Sequence, residues 1–123
     1  DREPLKPWLA ATVAAARAHG LAAIDGVFNR FEDEAGLEAE CAQARLYGFD
    51  GKSLIHPSQI DLANEVFTPS AAEVDKARRI LAAMEDAAKA GKGAVSLDGR
   101  LIDIASIRMA EALIEKANAM SAS

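Results

Sequence analysis

The sequence predicts an α/β fold in which helices cover a sheet of parallel strands. Helical and strand-like segments alternate along its first half, in the order helix–strand–helix–strand–helix. Both strand-like segments are short continuous apolar runs bounded by turn residues, which is typical of strands buried on both faces. Polar residues follow each run directly. This alternation predicts a parallel sheet with the helices outside it.

The helices of the first half are recognised by apolar residues that recur at a spacing of about 3.6 residues. In the first helix these include Trp8, Leu9 and Val13, and Gly20 is placed to end it. In the second helix Cys41 lies on the inner face. The predicted elements are, in order, a helix over residues 5–19, a strand over 21–24, a helix over 33–47, a strand over 53–55 and a helix from Pro57 to about Val66.

The second half begins with a capping box, Ser70-Ala71-Ala72-Glu73, in which two side chains satisfy free backbone donors of a helix start. A helix of about 19 residues with one apolar face follows, and Gly91 and Gly93 end it. Residues 94–97 are predicted to be extended, with a turn at Asp98-Gly99. A last helix is predicted from about Ile104 to Met120.

Two strands are too few for a stable parallel sheet, because their outer edges would lack backbone partners. The chain therefore has the pattern of a segment of a larger sheet. A (β/α)₈ barrel takes about 250 residues, so roughly half of one would lie outside this chain. A small independent α/β domain is the alternative that the pattern leaves open.

Composition and charge exclude several classes of function. The net charge is −5, with 14 Lys and Arg scattered among 19 Asp and Glu, so no cationic surface for nucleic acid is expected. No apolar run approaches the roughly 20 residues that cross a bilayer. The single cysteine, Cys41, cannot form an internal disulfide, which favours a reducing cytoplasm. Cys41 is expected to be a small core residue.

Chemistry in barrels and open α/β sheets gathers at the carboxyl ends of the strands. Asp25 and His56 follow the two predicted strands, whereas Lys52 precedes the second strand and is expected at the opposite end or in the turn. Asp25 also suits a turn, and His56 also suits a structural hydrogen bond at a strand–helix junction. Asp103 opens the last helix, where a carboxylate caps free backbone donors.

The residues do not predict a metal site within this chain. The acidic cluster Glu32-Asp33-Glu34 lies at a helix start, where carboxylates favour the positive end of the helix dipole. Neither histidine has a second His or Cys at the spacing of zinc ligands. The acidic cluster is therefore interpreted as a solvated helix cap.

Several longer runs resemble the citrate lyase β-subunit family, which belongs to the wider aldolase and citrate-lyase superfamily with malyl-CoA and citramalyl-CoA lyases. The most specific run is GFDGKSLIHPSQI, residues 48–60. Within it, His56 stands where the citrate lyase β subunit often carries Asn and where CoA-ester lyases carry His. The other matching runs are residues 23–28, residues 31–37, residues 67–69 with Glu73, and residues 91–103.

The resemblance implies the C-terminal portion of a TIM (β/α)₈ barrel with a C-terminal helical extension. Residues 1–68 would supply the last two βα units, with strands over 21–27 and 51–56. Residues 69–123 would form the extension, which in this family lies over the active site of a neighbouring subunit. A homo-oligomer, a trimer or hexamer, is therefore implied, with citrate lyase α and acyl-carrier subunits as further partners.

The activity implied by the resemblance is retro-aldol cleavage of a citryl thioester of CoA or an acyl carrier, giving oxaloacetate and an acetyl thioester. Family members use Mg²⁺ held by a Glu and an Asp on earlier strands, which would lie outside this chain. Asp103 would be the catalytic acid or base, donated in trans, while Asp25, His56 and Pro57 would line the substrate pocket. The isolated chain would then be inactive.

Two alternatives to this activity stay open. Malyl-CoA lyase, citramalyl-CoA lyase and malyl-CoA thioesterase belong to the same superfamily. A non-catalytic helical interaction module is the alternative from another class. It is suggested by the apolar face of the last helix, which is formed by Ile104, Ile107, Ile114 and Ala117.

Overall fold

The computed structural model describes residues 1–121, and these form two compact units that divide between Phe67 and Thr68. The predicted extension over residues 69–123 ends with residues 122 and 123, which lie outside the described residues. None of the helices described is long and apolar enough to span a bilayer.

The first unit combines three helices with two short strands. A 3₁₀ turn, Glu3–Leu5, leads into the first helix, and a second 3₁₀ turn, Pro57–Gln59, leads into the third. The three helices predicted for this half are confirmed, with ends that differ by a few residues. The elements are α1 Lys6–Ala18, β1 Ile24–Asp25, α2 Glu34–Tyr47, β2 Gly51–Lys52 and α3 Ile60–Phe67.

The ends of α2 follow from local chemistry. Asp33 accepts a hydrogen bond from the Gly36 N–H at 2.9 Å, which confirms the predicted capping role for this member of the acidic cluster. A Cβ at Gly36 would stand 2.3 Å from an Asp33 oxygen and 2.7 Å from the Phe28 ring, so this close approach requires glycine. Gly48 ends the helix with a φ of 99°, in the left-handed region.

The two strands of the first unit pair in parallel, which confirms the predicted sheet type. The register sets Ile24 beside Gly51 and Asp25 beside Lys52. The expectation that Lys52 lies at the opposite end of the sheet, or in the turn before it, is wrong, because this register places it directly beside Asp25. The acidic and the basic side chain therefore stand together on the same two strands.

Both strands are displaced from the apolar runs that predicted them. The first begins only at Ile24, and the predicted second strand over residues 53–55 is wrong, since β2 ends at Lys52. The Ser53 N–H still donates to the Asp25 carbonyl at 2.9 Å, but the Ile55 N–H donates to the side-chain oxygen of Gln59 at 3.0 Å. A side chain thus replaces a neighbouring strand as the backbone partner.

The core of the first unit forms where the helices and the loop after β1 meet. Cys41 is fully buried there, as predicted for a small core residue. Trp8, which shares the apolar face of α1 in the sequence, is 73% exposed in this structure. The core residues are Val13, Ala23, Phe28, Leu37, Cys41, Ala44, Phe49, Ala63 and Phe67.

The second unit is a helical pair joined by a β-hairpin. Ser70 caps the first of its helices by accepting a hydrogen bond from the Glu73 N–H at 3.1 Å. Both helices predicted for this half are confirmed, and small residues are buried on them at Ala77, Ala87 and Ala110. The elements are α4 Ala71–Lys89, β3 Val95–Leu97, β4 Arg100–Ile102 and α5 Ile104–Ser121.

The hairpin contains a strand that the sequence analysis missed. β3 and β4 pair in antiparallel register, and the turn between them has φ values of 53° at Asp98 and 78° at Gly99. Two adjacent positive φ angles are those of a type I′ turn, whose right-handed twist suits a two-residue hairpin. The predicted turn is confirmed, and the residues after it continue as β4, which ends immediately before Asp103.

Candidate functional site

The most deeply buried charges of the first unit meet at the two strands. The Asp25 carboxylate accepts hydrogen bonds from Arg2 Nη1 at 2.8 and 3.0 Å and from Lys52 Nζ at 2.8 Å. The side chains of Asp25 and Lys52 are 1% and 0% exposed. An ion pair this deep has lost its hydration, so its stability depends on every polar atom finding a partner.

The Lys52 ammonium group has three hydrogen-bond acceptors, which equals its number of N–H donors. Besides Asp25, its Nζ lies 2.6 Å from the Gly26 carbonyl oxygen and 2.7 Å from Glu40 Oε1. Because Glu40 belongs to α2, the Asp25 and Lys52 side chains face this helix. Lys52 therefore ties β1, the start of the following loop and α2 together.

Arg2 completes this cluster from the N-terminal segment. Its Nε donates to Gln43 Oε1 at 2.8 Å, and its Nη1 stands 3.5 Å from Glu40 Oε1. The cluster therefore pairs two cations, Arg2 and Lys52, with two carboxylates, Asp25 and Glu40. We call these four residues the strand–helix ion cluster.

The cluster keeps Asp25 ionised. Burial by itself would raise the pKa of this carboxyl, but hydrogen bonds and positive charge from Arg2 and Lys52 outweigh it and hold the pKa below the usual value. The carboxylate oxygens are already occupied by cationic donors. The predicted role of Asp25 in lining a substrate pocket stays a prediction.

The residues present do not fit a magnesium site. Mg²⁺ is bound through carboxylate oxygens, and in the ion cluster these oxygens are held by Arg2 and Lys52. Among residues 1–121, no three His, Cys, Asp or Glu side chains are grouped so that they could hold a metal ion.

His56 and Pro57 stand after β2, next to the loop that follows β1. The His56 ring stacks on Phe31, with the ring centroids 4.4 Å apart and the planes inclined by 11°. His56 Nδ1 accepts the Ser58 N–H at 3.1 Å and lies 2.8 Å from Ser58 Oγ. This is the hydrogen bond to backbone at a strand–helix junction that was the alternative interpretation of His56, and it fixes the ring in place.

Asp103 belongs to the second unit and has different surroundings. It precedes α5, it is exposed, and its Oδ1 accepts the Ser106 N–H at 2.7 Å, so the predicted capping role is confirmed. Hydrogen bonds from the backbone and the side chain of Ser106 lower the pKa of Asp103. The structure thus brings His56, with the adjacent Pro57, against Phe31 and sets Asp25 among cations, while Asp103 lies on the other compact unit.

Sequence reasoning missed the partners in these sites. The register that sets Lys52 beside Asp25 has no marker in the sequence, since the neighbouring glycine follows Asp25 and precedes Lys52. Arg2 bonds to Asp25 and Gln59 bonds to Phe28, and the residues of each pair are more than 20 positions apart in the chain. No periodicity or spacing in the sequence points to such contacts.

Comparisons with known proteins agree with this architecture. A family profile described as a C–C bond lyase of the TIM-barrel fold matches residues 2–121. The chain is 48% identical over 122 residues to a (3S)-malyl-CoA thioesterase of Cereibacter sphaeroides, covering 99% of this chain and 43% of the relative. It is 52% identical over 114 residues to an L-malyl-CoA/beta-methylmalyl-CoA lyase of Rhodobacter capsulatus, covering 90% of this chain and 36% of the relative.

Solved structures show the same likeness. The crystal structure of protein CitE from Mycobacterium tuberculosis, in complex with magnesium, acetoacetate and coenzyme A, matches with a TM-score of 0.76 and 32% identity, covering 95% of this chain and 42% of that one. A citrate lyase from Burkholderia xenovorans matches with a TM-score of 0.78 and 26% identity, covering 98% of this chain and 37% of that one. The chain spans less than half the length of these relatives.

Proposed function

Since this chain belongs to the C–C bond lyase family of the TIM-barrel fold, we propose that it is part of an enzyme acting on malyl-CoA or a closely related 3-hydroxyacyl-CoA. The observation that carries the proposal is the identity of about half its residues with two malyl-CoA enzymes, over 90% or more of the chain. His56, the residue type that CoA-ester lyases carry at this position, supports the same choice. Because the family is one of C–C bond lyases, membership in it disfavours the alternative of a non-catalytic interaction module.

The two compact units take different parts in this proposal. The first supplies the last two βα units of the barrel, residues 1–68, with His56 and Pro57 beyond the carboxyl end of β2, on the side of a barrel where substrates bind. The second, residues 69–123, is the helical extension that reaches a neighbouring subunit in a trimer or hexamer. The boundary between Phe67 and Thr68 supports this division. We place the enzyme in the cytoplasm, which the free thiol of Cys41 supports.

The proposed reaction breaks the bond between the hydroxyl-bearing carbon and the carbon next to the thioester. The hydroxyl loses its proton and becomes a carbonyl, while the electron pair of the broken bond passes to the thioester half as an enolate. The enolate carbon then takes a proton and becomes the methyl group of an acetyl thioester. The magnesium of the whole enzyme is proposed to be held by residues outside this chain.

Asp103 is the residue of this chain that we assign to the proton transfer at the enolate carbon. The exposed side chain is a carboxylate near neutral pH and can accept a proton in the condensation direction, and its lowered pKa makes it a weaker base than an ordinary aspartate. In the cleavage direction it has to carry a proton. Burial of Asp103 under a bound thioester of the neighbouring subunit would raise its pKa toward that role.

A second candidate substrate is a citryl thioester on CoA or an acyl carrier, with citrate lyase α and acyl-carrier subunits as partners. It is favoured by the likeness to the proteins named CitE and citrate lyase, over 95% and 98% of the chain. The same bond accounting applies, with oxaloacetate as the carbonyl product. The difference lies in the group attached to the hydroxyl-bearing carbon.

The test is an assay of the intact enzyme with Mg²⁺ and malyl-CoA, citramalyl-CoA or citryl-CoA in turn. Two products are followed, the carbonyl acid and the free CoA thiol. Carbonyl release from malyl-CoA or citramalyl-CoA supports a lyase of the proposed class, and thiol release from malyl-CoA without carbonyl supports a thioesterase. Turnover of citryl-CoA alone supports the second candidate. No turnover of any of the three overturns both.

A further inference from the structure

Gln59 is a fully buried amide whose two ends hold two different loops. Its side chain is 0% exposed, although it lies in a short 3₁₀ turn between a loop and α3. Its Nε2 donates to the Phe28 carbonyl at 2.9 Å, and its Oε1 accepts the Ile55 N–H at 3.0 Å. Rotation of this amide would leave both backbone groups without these partners, so the orientation of Gln59 is fixed.

The two loops joined in this way follow the two strands of the parallel pair. We call residues 26–33 the β1 loop and residues 53–56 the β2 loop. Phe28 and Phe31 belong to the first, and Ile55 and His56 to the second. The stacked rings of Phe31 and His56 are a second contact between the same loops, at their exposed side.

We propose that Gln59 is a positioning residue that sets the relative placement of these loops and thereby the affinity for the CoA thioester, an inference that rests on the proposed function. Its amide, on the buried side of both loops, fixes their backbones through the bonds to Phe28 and Ile55. The Phe31–His56 stack then presents one defined surface next to Pro57. Gln59 itself does not touch the substrate, so its removal is expected to change binding rather than the chemical step.

Gln59→Glu tests this role with almost no change in shape. A carboxylate at this position still accepts the Ile55 N–H but cannot donate to the Phe28 carbonyl. Two oxygens then face each other, and their repulsion moves the β1 loop away. At neutral pH we expect the KM for the thioester to rise about tenfold, as the loss of one buried hydrogen bond implies. The kcat should stay within about twofold, since uniform binding is what is lost.

The same variant carries its own rescue. Below its pKa the introduced glutamic acid gains an O–H that can donate to the Phe28 carbonyl, and burial raises that pKa above the usual value of a glutamate. The ratio of variant to wild-type KM should therefore fall toward one as the pH is lowered. A ratio that does not change with pH overturns the proposed hydrogen-bond mechanism.

Ala63→Gly is the matched control for lost stability. Ala63 is buried in α3, and glycine there destabilises the fold without removing any contact between the two loops. Its KM should equal that of the wild type, while its resistance to urea falls. If Ala63→Gly raises the KM as much as Gln59→Glu does, the effect is one of general stability and the proposal is overturned.

Two further measurements keep the inference separate from the proposed function. The His56 ring protons should be shifted upfield by the Phe31 ring in NMR spectra of the free enzyme, and Gln59→Glu should reduce that shift while Ala63→Gly keeps it. If no thioester is turned over, the proposed function fails, and the dissociation constant for CoA alone serves the same comparison. An unchanged constant in Gln59→Glu, or no binding of CoA to the wild type, overturns the inference.

Phe31→Leu decides the matter if Gln59→Glu does not fold. Phe31 is 42% exposed, so this change leaves the core and the Gln59 amide intact while it removes the stacking ring. We expect it to raise the KM, or the dissociation constant for CoA, by a similar factor. An unchanged value would show that the stacked loops do not set affinity.

Discussion

Two aspartates stand at strand ends in this molecule, and their surroundings are opposite. Asp25 ends β1 in a buried site, where two cationic side chains occupy its oxygens. Asp103 follows β4 on the surface, where its carboxylate accepts the Ser106 N–H and caps α5. Both have a lowered pKa, but the donors differ: side-chain cations for Asp25 and mainly backbone and side-chain hydrogen bonds of Ser106 for Asp103. A lowered pKa alone therefore does not distinguish a carboxylate whose oxygens are held by buried cations from an exposed one; access to the oxygens does.

The largest expected effect separates the two aspartates by activity. Asp103→Asn in the intact enzyme should lower the turnover number about 10²–10⁴-fold, the range that positioned acid–base catalysis supplies. Stability should hardly change, because asparagine caps a helix about as well as aspartate. Steady-state kinetics and thermal unfolding check both halves of this expectation. Glu111→Gln, an exposed carboxylate change on α5, is the control, and wild-type turnover in Asp103→Asn would remove this residue from the mechanism.

The second-largest effect is a loss of stability rather than a loss of turnover, and it comes from Asp25. Asp25→Asn leaves Lys52 buried with one carboxylate fewer, and breaking a buried ion pair from one side typically costs about 3–5 kcal/mol of stability. Urea denaturation of the intact enzyme measures this cost. The exposed Asp61 on α3 offers the matched change, and Asp61→Asn should cost under about 1 kcal/mol, as expected of a carboxylate near a helix start. Equal costs for the two variants would contradict the structural assignment of Asp25.

Lowering the pH should remove the stability that Asp25 contributes to the fold. Because its pKa is lower in the folded protein than in the unfolded chain, Asp25 stabilises the fold fully at pH values above the ordinary aspartate pKa of about 3.9. This contribution is lost as the pH falls from there through the folded-state pKa. The difference in urea midpoint between wild type and Asp25→Asn should therefore shrink below about pH 4. A difference that is constant through this range would argue against the shift.

Some features of the fold could be predicted from the sequence alone. Helix positions and the cap at Asp103 follow from local patterns, because each depends on residues a few positions apart. The parallel pairing joins residues far apart in the chain, and it follows instead from the alternation of helices and strands. The hairpin strand β4 could also have been predicted, since Asp98-Gly99 with apolar residues at Val95, Leu97, Leu101 and Ile102 is a strong signal for a two-residue hairpin. The sequence analysis assigned no element to the residues between this turn and the last helix.

The remaining features depend on contacts that local patterns do not contain. The starts of the two predicted strands differ from the observed starts by three and two residues, because pairing with a partner, rather than apolarity, defines where a strand begins and ends. The amide of Gln59 bonds to Phe28, and Lys52 reaches Glu40 on α2, only after the chain has folded. In the sequence, Gln59 and Lys52 look like ordinary polar surface residues.

The smallest expected effect comes from an ion pair with nearly the same geometry as the buried one. Arg79 Nη2 donates to both oxygens of Asp98 at 2.9 and 3.1 Å, as Arg2 Nη1 does to Asp25 at 2.8 and 3.0 Å. The Arg79 and Asp98 side chains are 48% and 64% exposed, however, so water screens their attraction and competes for their hydrogen bonds.

Arg79→Ala should therefore cost less than about 1 kcal/mol in urea denaturation, the range found for exposed pairs. Arg2→Ala should cost more, because it takes one of two cationic partners away from a buried carboxylate. Added salt should narrow the already small effect of Arg79→Ala and leave that of Arg2→Ala nearly unchanged, since salt screens exposed charges most. If the two changes were equally costly and equally sensitive to salt, geometry rather than burial would govern these pairs.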